Sequence, residues 1–180
     1  MEVILNTPDI KTTLGARDVF ILELLYSTGI RVGELVNIKL KDVDINKKEI
    51  VILGKGNKER IVLFGERCSL LLANYISNSR NELDIENSEY LLLGVKGKRI
   101  NSRTVRQIID EVVSMAGLKL KISPHVLRHT FATHMLNEGA DLKSVQQLLG
   151  HESLSTTTIY THISNERLRR VYLHTHPRAK

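Results

Sequence analysis

The sequence predicts an α+β fold, mostly α-helical with a small three-stranded antiparallel sheet. Three observations predict it. Apolar segments of helical length recur along the chain, and Gly29, Gly117, Gly139 and Gly150 close them. Two short Val/Ile-rich runs, EIVILG and ERIVLF, flank KGNK, whose Gly and Asn supply the positive backbone angles of a hairpin turn. The 180 residues are 42% hydrophobic and 26% charged, which suits one domain with a real core and leaves little room for a second.

Residues 17–28, RDVFILELLYST, carry apolar side chains around most of a helix that Gly29 ends. RVGELVNI forms a second short helix, and KDVDINKKEI is a polar turn region before the hairpin. Residues 66–79 read as helix, YLLL as the third strand, and GVKGKR as a loop. SRTVRQIIDEVVSMAG is an amphipathic helix stopped at Gly117. In SPHVLRHTFATHMLNEG, Ser123 is the N-cap and Pro124 the first helical residue, with Val126, Leu127, Phe131 and Leu136 as the buried face. DLKSVQQLLG is a short helix between the cap Asp141 and the stop Gly150. TTTIYTHISNERLRRVYLH holds one or two further helices, and HPRAK reads as a polar tail.

Composition narrows the function. The net charge of +6 favours polyanionic partners. Cys68 is the single cysteine, so no internal disulfide forms. No apolar run approaches a membrane span and the N-terminus lacks a secretory layout, so the chain reads as cytoplasmic with no membrane partner. The absence of tryptophan and the few aromatics argue against a base-stacking platform for single strands.

Several polar residues do not fit a plain fold. Arg31, in TGIRVGEL, follows a helix-ending Gly-Ile and stands among apolar neighbours. A buried guanidinium needs an anion, either Glu34 or a phosphate. His125 and Arg128 share one side of a helix at its N-terminal turns, where free N–H groups suit a phosphate, though a cap and a core histidine explain them too. His125 and His129 have a metal-compatible i,i+4 spacing, but no glutamate, cysteine or nearby carboxylate completes a set. His151 and Tyr160 lie in GHESLSTTTIYTH, the tyrosine within a run of threonines, and Lys55 sits at the hairpin tip. Asp42 and Asp44 could serve a metal nuclease, but a turn accounts for them as well.

Taken in order, TGIRVGEL, GKGNKERIVLF, SPHVLRHTFATHML, LLGHESLSTTTIYTH and HPRA resemble the catalytic domain of the tyrosine recombinases, or phage integrase family, and among them the Xer-type members. The resemblance runs from about residue 16 to the C-terminus. Its most specific part is H-x-x-R, then G-H, then a tyrosine nine positions after that histidine.

The resemblance implies a role for each matching residue. Arg31 and Arg128 clamp the phosphate, His151 contacts it, His125 handles a proton, Lys55 is the general acid, Tyr160 is the nucleophile and Glu34 orients the site. It implies site-specific cleavage and rejoining of double-stranded DNA through a covalent 3′-phosphotyrosine, with no cofactor and no metal. It also implies a homotetramer on synapsed DNA, bridged by the C-terminal helix near NERLRRVYL. Full-length members carry an N-terminal core-binding helical domain. The expectation here is a single catalytic domain, 1–180, without it. The alternatives are a type IB topoisomerase-like nicking and resealing activity on one duplex, and a DNA-binding module without catalysis.

Overall fold

The computed structural model describes residues 1–54, 59–150 and 162–179. A single turn, α1 (Glu2–Leu5), precedes α2 (Thr13–Thr28). The Thr12 hydroxyl caps α2 by accepting the Gly15 N–H, and Gly29 closes it at φ 62°. All but three of the sixteen α2 residues are buried, so this helix is wrapped on every side rather than amphipathic. One short turn, α3 (Val32–Leu35), and a 3₁₀ turn (Leu40–Asp42) lead to the sheet. RVGELVNI thus supplies one helical turn only, with Arg31 as its N-cap.

The sheet is β1 (Val43–Asp44), β2 (Glu49–Leu53) and β3 (Glu59–Leu63), antiparallel in that spatial order. Ile50 pairs with Val62 and Ile52 with Arg60. Ile50, Ile52 and Val62 are buried, which defines the inner face. The sheet is three-stranded as predicted, but its third strand is Val43–Asp44, not YLLL. Tyr90 and Leu93 instead make isolated bridges with Lys39 and Arg99, while Leu91, Leu92 and Leu93 fill the core.

After the sheet come α4 (Glu66–Asn74), which continues through a π-helical turn (Tyr75–Arg80) into α5 (Asn81–Leu83), and then α6 (Ser102–Met115). Next are α7 (Pro124–Asn137), α8 (Leu142–Leu149) and α9 (His162–Thr175). One apolar core joins α2 to α4, α6 and the inner face of the sheet. A second joins α7, α8 and α9. The buried face of α7 is Leu127, Phe131 and Met135; Val126 and Leu136, expected there, are exposed.

The C-terminal tail is docked, contrary to its polar reading. His176, Arg178 and Ala179 are buried, and the His176 ring stacks on Tyr172 at 5.2 Å. Arg178 pairs with Glu2 at 2.7 Å. Gly65 gives the tail room, because a Cβ there would lie 1.7 Å from the Arg178 carbonyl oxygen. Among the described residues, no helix is long and apolar enough to cross a membrane.

Candidate active site

Local chemistry sets the α7 N-terminus. The Ser123 hydroxyl accepts the Val126 N–H at 3.4 Å, and Pro124 occupies the first turn, where a missing N–H costs nothing. Leu127 is buried, so its neighbour Arg128 emerges at the core boundary. The Arg128 guanidinium donates through Nη1 to the Gly29 carbonyl and through Nη2 to the Leu149 carbonyl at 2.8 Å. Both acceptors belong to helix C-termini, whose last carbonyls lack helical partners. Arg128 therefore fastens the ends of α2 and α8 to α7.

Glycine makes this convergence feasible. A Cβ on Gly29 would lie 2.7 Å from Phe131 Cδ1 and 2.8 Å from Leu149 Cδ2. Gly150, at φ 67°, lets α8 end against Arg60; a Cβ there would lie 2.6 Å from Arg60 Nε.

Arg31 stands at the α3 N-terminus. Its main-chain N–H donates to Glu34 Oε2 at 2.8 Å, and its Nη1 to Glu34 Oε1 at 3.2 Å. The Arg31 side chain is 45% exposed and Glu34 8% exposed. The buried member is thus the carboxylate, and the arginine faces solvent, reversing the expectation drawn from its apolar neighbours. Glu34 has a stronger partner. Arg60 Nη1 donates to Oε1 at 2.7 Å and Nη2 to Oε2 at 3.0 Å, a two-pronged pair between side chains 10% and 8% exposed.

Arg60 was not among the candidates read from the sequence, yet a signal was there. In a period-2 strand, Arg60, Val62 and Phe64 fall on one face, and Val62 and Phe64 are buried. An arginine on an inward-facing strand position demands an anion.

The electrostatics follow from this packing. Burial pushes the Glu34 carboxyl up, but the Arg60 hydrogen bonds, the Arg31 N–H and both guanidinium charges outweigh it, and its pKa lies below the ordinary value. Burial first, and then the like charges of Arg31 and Arg60, lower Arg128 to about 10 against the opposing pull of Glu34. Arg128 is still protonated at neutral pH. The cluster thus sets three guanidiniums against one carboxylate, an excess of two positive charges. Such a site is built to take an anion.

The fold brings Arg31 and Glu34, at α3, together with Arg128 of α7 and Arg60 of β3. His125 is exposed on α7, one helical turn before Arg128 on the same side of that helix. Lys55, His151 and Tyr160 lie outside the described residues, although Gly150, immediately before His151, abuts the cluster. Asp42 and Asp44 serve turns: Asp42 accepts the Lys39 N–H and Asp44 the Lys47 N–H, each at 2.9 Å. His129 is exposed, and among the described residues no group of three His, Cys, Asp or Glu is placed to hold a metal ion.

Residues 1–167 match the model of the phage integrase family. The chain belongs to the phage integrase family. It is 51% identical over 180 residues to the tyrosine recombinase XerC of Staphylococcus epidermidis and 52% identical to that of Staphylococcus saprophyticus. All of this chain is covered in each case, and 60% of the relative. The chain thus spans about 60% of the length of the curated relatives it matches. Among solved structures it is similar to the XerA recombinase, at 37% identity and a TM-score of 0.75 over 98% of this chain and 63% of that one. It is also similar to the XerH site-specific recombinase bound to its difH substrate before cleavage, at 30% identity and a TM-score of 0.74 over 96% of this chain and 51% of that one. The mostly helical fold with its three-stranded antiparallel sheet is that of Xer recombinase catalytic domains.

Proposed function

We propose that this chain is the catalytic domain of a site-specific DNA recombinase that cleaves and rejoins double-stranded DNA through a 3′-phosphotyrosine. The observation that carries the reading is the arginine cluster. Guanidiniums from the segment after α2, from β3 and from α7 share one site with an excess of two positive charges over Glu34, and one of them, Arg31, is open to solvent. Similarity to XerC proteins and to a XerH complex with DNA points the same way.

In this reading Tyr160 Oη attacks the scissile phosphorus in line. The tyrosyl ester forms as the bond from phosphorus to the 5′ oxygen breaks. A phosphodiester carries one negative charge and its pentacoordinate transition state two, the charge the cluster offers. Arg31 and Arg128 bind the non-bridging oxygens with planar hydrogen bonds and stay protonated while doing so, and His151 adds a third contact. A phenol has a reference pKa of about 10, so it needs a base, and His125 takes its proton. Lys55 returns a proton to the departing 5′ oxygen. One ester replaces another, so attack by a 5′-hydroxyl of a second strand reverses the step without ATP, metal or cofactor. Four protomers on two synapsed duplexes, bridged by their C-terminal helices, would exchange strands in this way. The cytoplasm, where bacterial DNA resides, is the compartment we assign.

A second reading, nicking and resealing of one duplex, uses the same residues. It draws support from α9 and the tail, which pack on their own chain through Tyr172, His176 and the 2.8 Å Arg169–Glu49 pair rather than standing free to bridge protomers. The test uses a duplex nicked near the cleavage point, so that the released fragment diffuses away. The proposal expects a covalent protein–DNA band that a chelator does not affect and that Tyr160→Phe abolishes. Absence of the band, or its persistence in Tyr160→Phe, would overturn it. Plasmid relaxation without strand exchange would favour the second reading.

A further inference from the structure

We propose that Arg60 is a positioning residue of the anion site: by gripping Glu34 it fixes the carboxylate that sets the angle of Arg31. This rests on the strand-transfer reading above. The geometry runs in one line. Both terminal nitrogens of Arg60 are occupied by the Glu34 oxygens, at 2.7 and 3.0 Å, so Arg60 offers no fork to a ligand. Those same two oxygens hold Arg31, one by its main-chain N–H at 2.8 Å and the other by Nη1 at 3.2 Å. Arg31, at 45% exposure, is the member that meets solvent. Arg60 thus stands behind the carboxylate, on the core side, and Arg31 in front of it.

Two further observations fit a fixed support rather than a mobile ligand. Arg60 rises from the inner face of β3, opposite the buried Ile52, so its stem is packed. Its Nε is buried without a partner among the described residues and lies against the Gly150 backbone, where even a methyl group would come within 2.6 Å. The side chain is wedged between the sheet and the end of α8. A two-pronged pair at such a site fixes both the position and the plane of the carboxylate, which a lysine cannot do. Without that hold, Glu34 is free to rotate or to take up a proton, and the Arg31 fork loses its direction. Misplacement of a charge-stabilising group by about 1 Å can cost roughly 100-fold in rate.

The experiment is a double-mutant cycle of Arg60→Gln and Glu34→Gln, read as the single-turnover rate of adduct formation on the nicked duplex and, separately, as duplex affinity. Each single variant is expected to lose on the order of 10–100-fold in adduct rate, and the double variant to lose no more than Glu34→Gln alone. Arg60→Gln should also acquire an acid limb in its pH–rate profile, as its unsupported Glu34 protonates. Glu34→Gln and the double variant should lack that limb. Arg60→Lys, which keeps the charge but not the fork, should recover less than half of the lost rate on a logarithmic scale. The proposal is overturned if the single losses multiply, if Arg60→Lys restores the parent rate, or if Arg60→Gln stays within twofold of the parent. If the parent makes no adduct, the strand-transfer reading falls. The affinity cycle, extended to Arg31→Ala, then decides on Arg60 by itself: losses from Arg60→Gln and Arg31→Ala that overlap support positioning, and losses that multiply refute it.

Discussion

Gly29→Ala is the substitution whose effect can be worked most fully from the structure. Gly29 sits at φ 62°, and a Cβ there meets Phe131 Cδ1 at 2.7 Å and Leu149 Cδ2 at 2.8 Å. The left-handed backbone alone costs an L-residue roughly 1–2 kcal/mol. Forcing a methyl into two packed side chains adds about 1–3 kcal/mol. The expected total is about 2–5 kcal/mol, a large share of the roughly 5–15 kcal/mol that holds a typical domain together. Gly117 supplies the control. It has φ 66° and open space around its would-be Cβ, so Gly117→Ala bears the backbone term without the clash. Urea unfolding of both variants, with m-values compared, separates the two terms. Gly29→Ala should be less stable than Gly117→Ala by at least about 1 kcal/mol. It should also weaken DNA binding, because Phe131 and Leu149 flank Arg128 and its carbonyl acceptors. Equal destabilisation by the two variants would refute the packing argument.

Three further outcomes follow. His176 is buried and its imidazole is pushed down from 6.5 to about 3, by burial first and by His134 and Arg178 next, against the Tyr26 hydrogen bond. The unfolded chain therefore binds a proton that the folded chain refuses. Stability should fall by about 1.4 kcal/mol per pH unit below 6.5, and His176→Phe should flatten that slope in urea midpoints measured from pH 7.5 to 5. Glu34 behaves in the opposite sense: its folded pKa lies below its ordinary value, so its contribution is full at neutral pH and is lost as pH falls through the folded pKa. The stability gap between the parent and Glu34→Gln should narrow on acidification. Duplex affinity should fall steeply with salt, by a slope of about −0.9 per phosphate neutralised, and Arg31→Ala should reduce that slope by about one; a flat response contradicts a backbone footprint.

Much of the fold was legible because caps and stops are local chemistry. Thr28-Gly29, Ser123-Pro124 and Asp141 to Gly150 declared their helix ends from a few adjacent residues, and the structure has those ends in place. The hairpin strands were legible from two Val/Ile-rich runs on either side of the KGNK turn, for the same reason. What escaped was set by tertiary contact. Val43–Asp44 is too short to carry a strand signal and pairs only because β2 is beside it. The run YLLL has strand composition, but its leucines are core filler between two isolated bridges. The tail HPRA reads as solvated until α7 and Gly65 offer it a pocket. The site divides in the same way. Arg31, Glu34 and Arg128 were found by motif, and the fold brings them together. Arg60 was missed because its partner lies 26 residues away, although its place on the inward face of a strand was the clue.

The most direct test follows the covalent bond itself. Trypsin releases residues 144–167 as one peptide in which Tyr160 is the only tyrosine. After reaction with the nicked duplex and nuclease digestion, mass spectrometry should find this peptide heavier by a 3′-phosphonucleotide carried on Tyr160. A nucleotide on any other residue, or cleavage that leaves this peptide unmodified, would contradict the account.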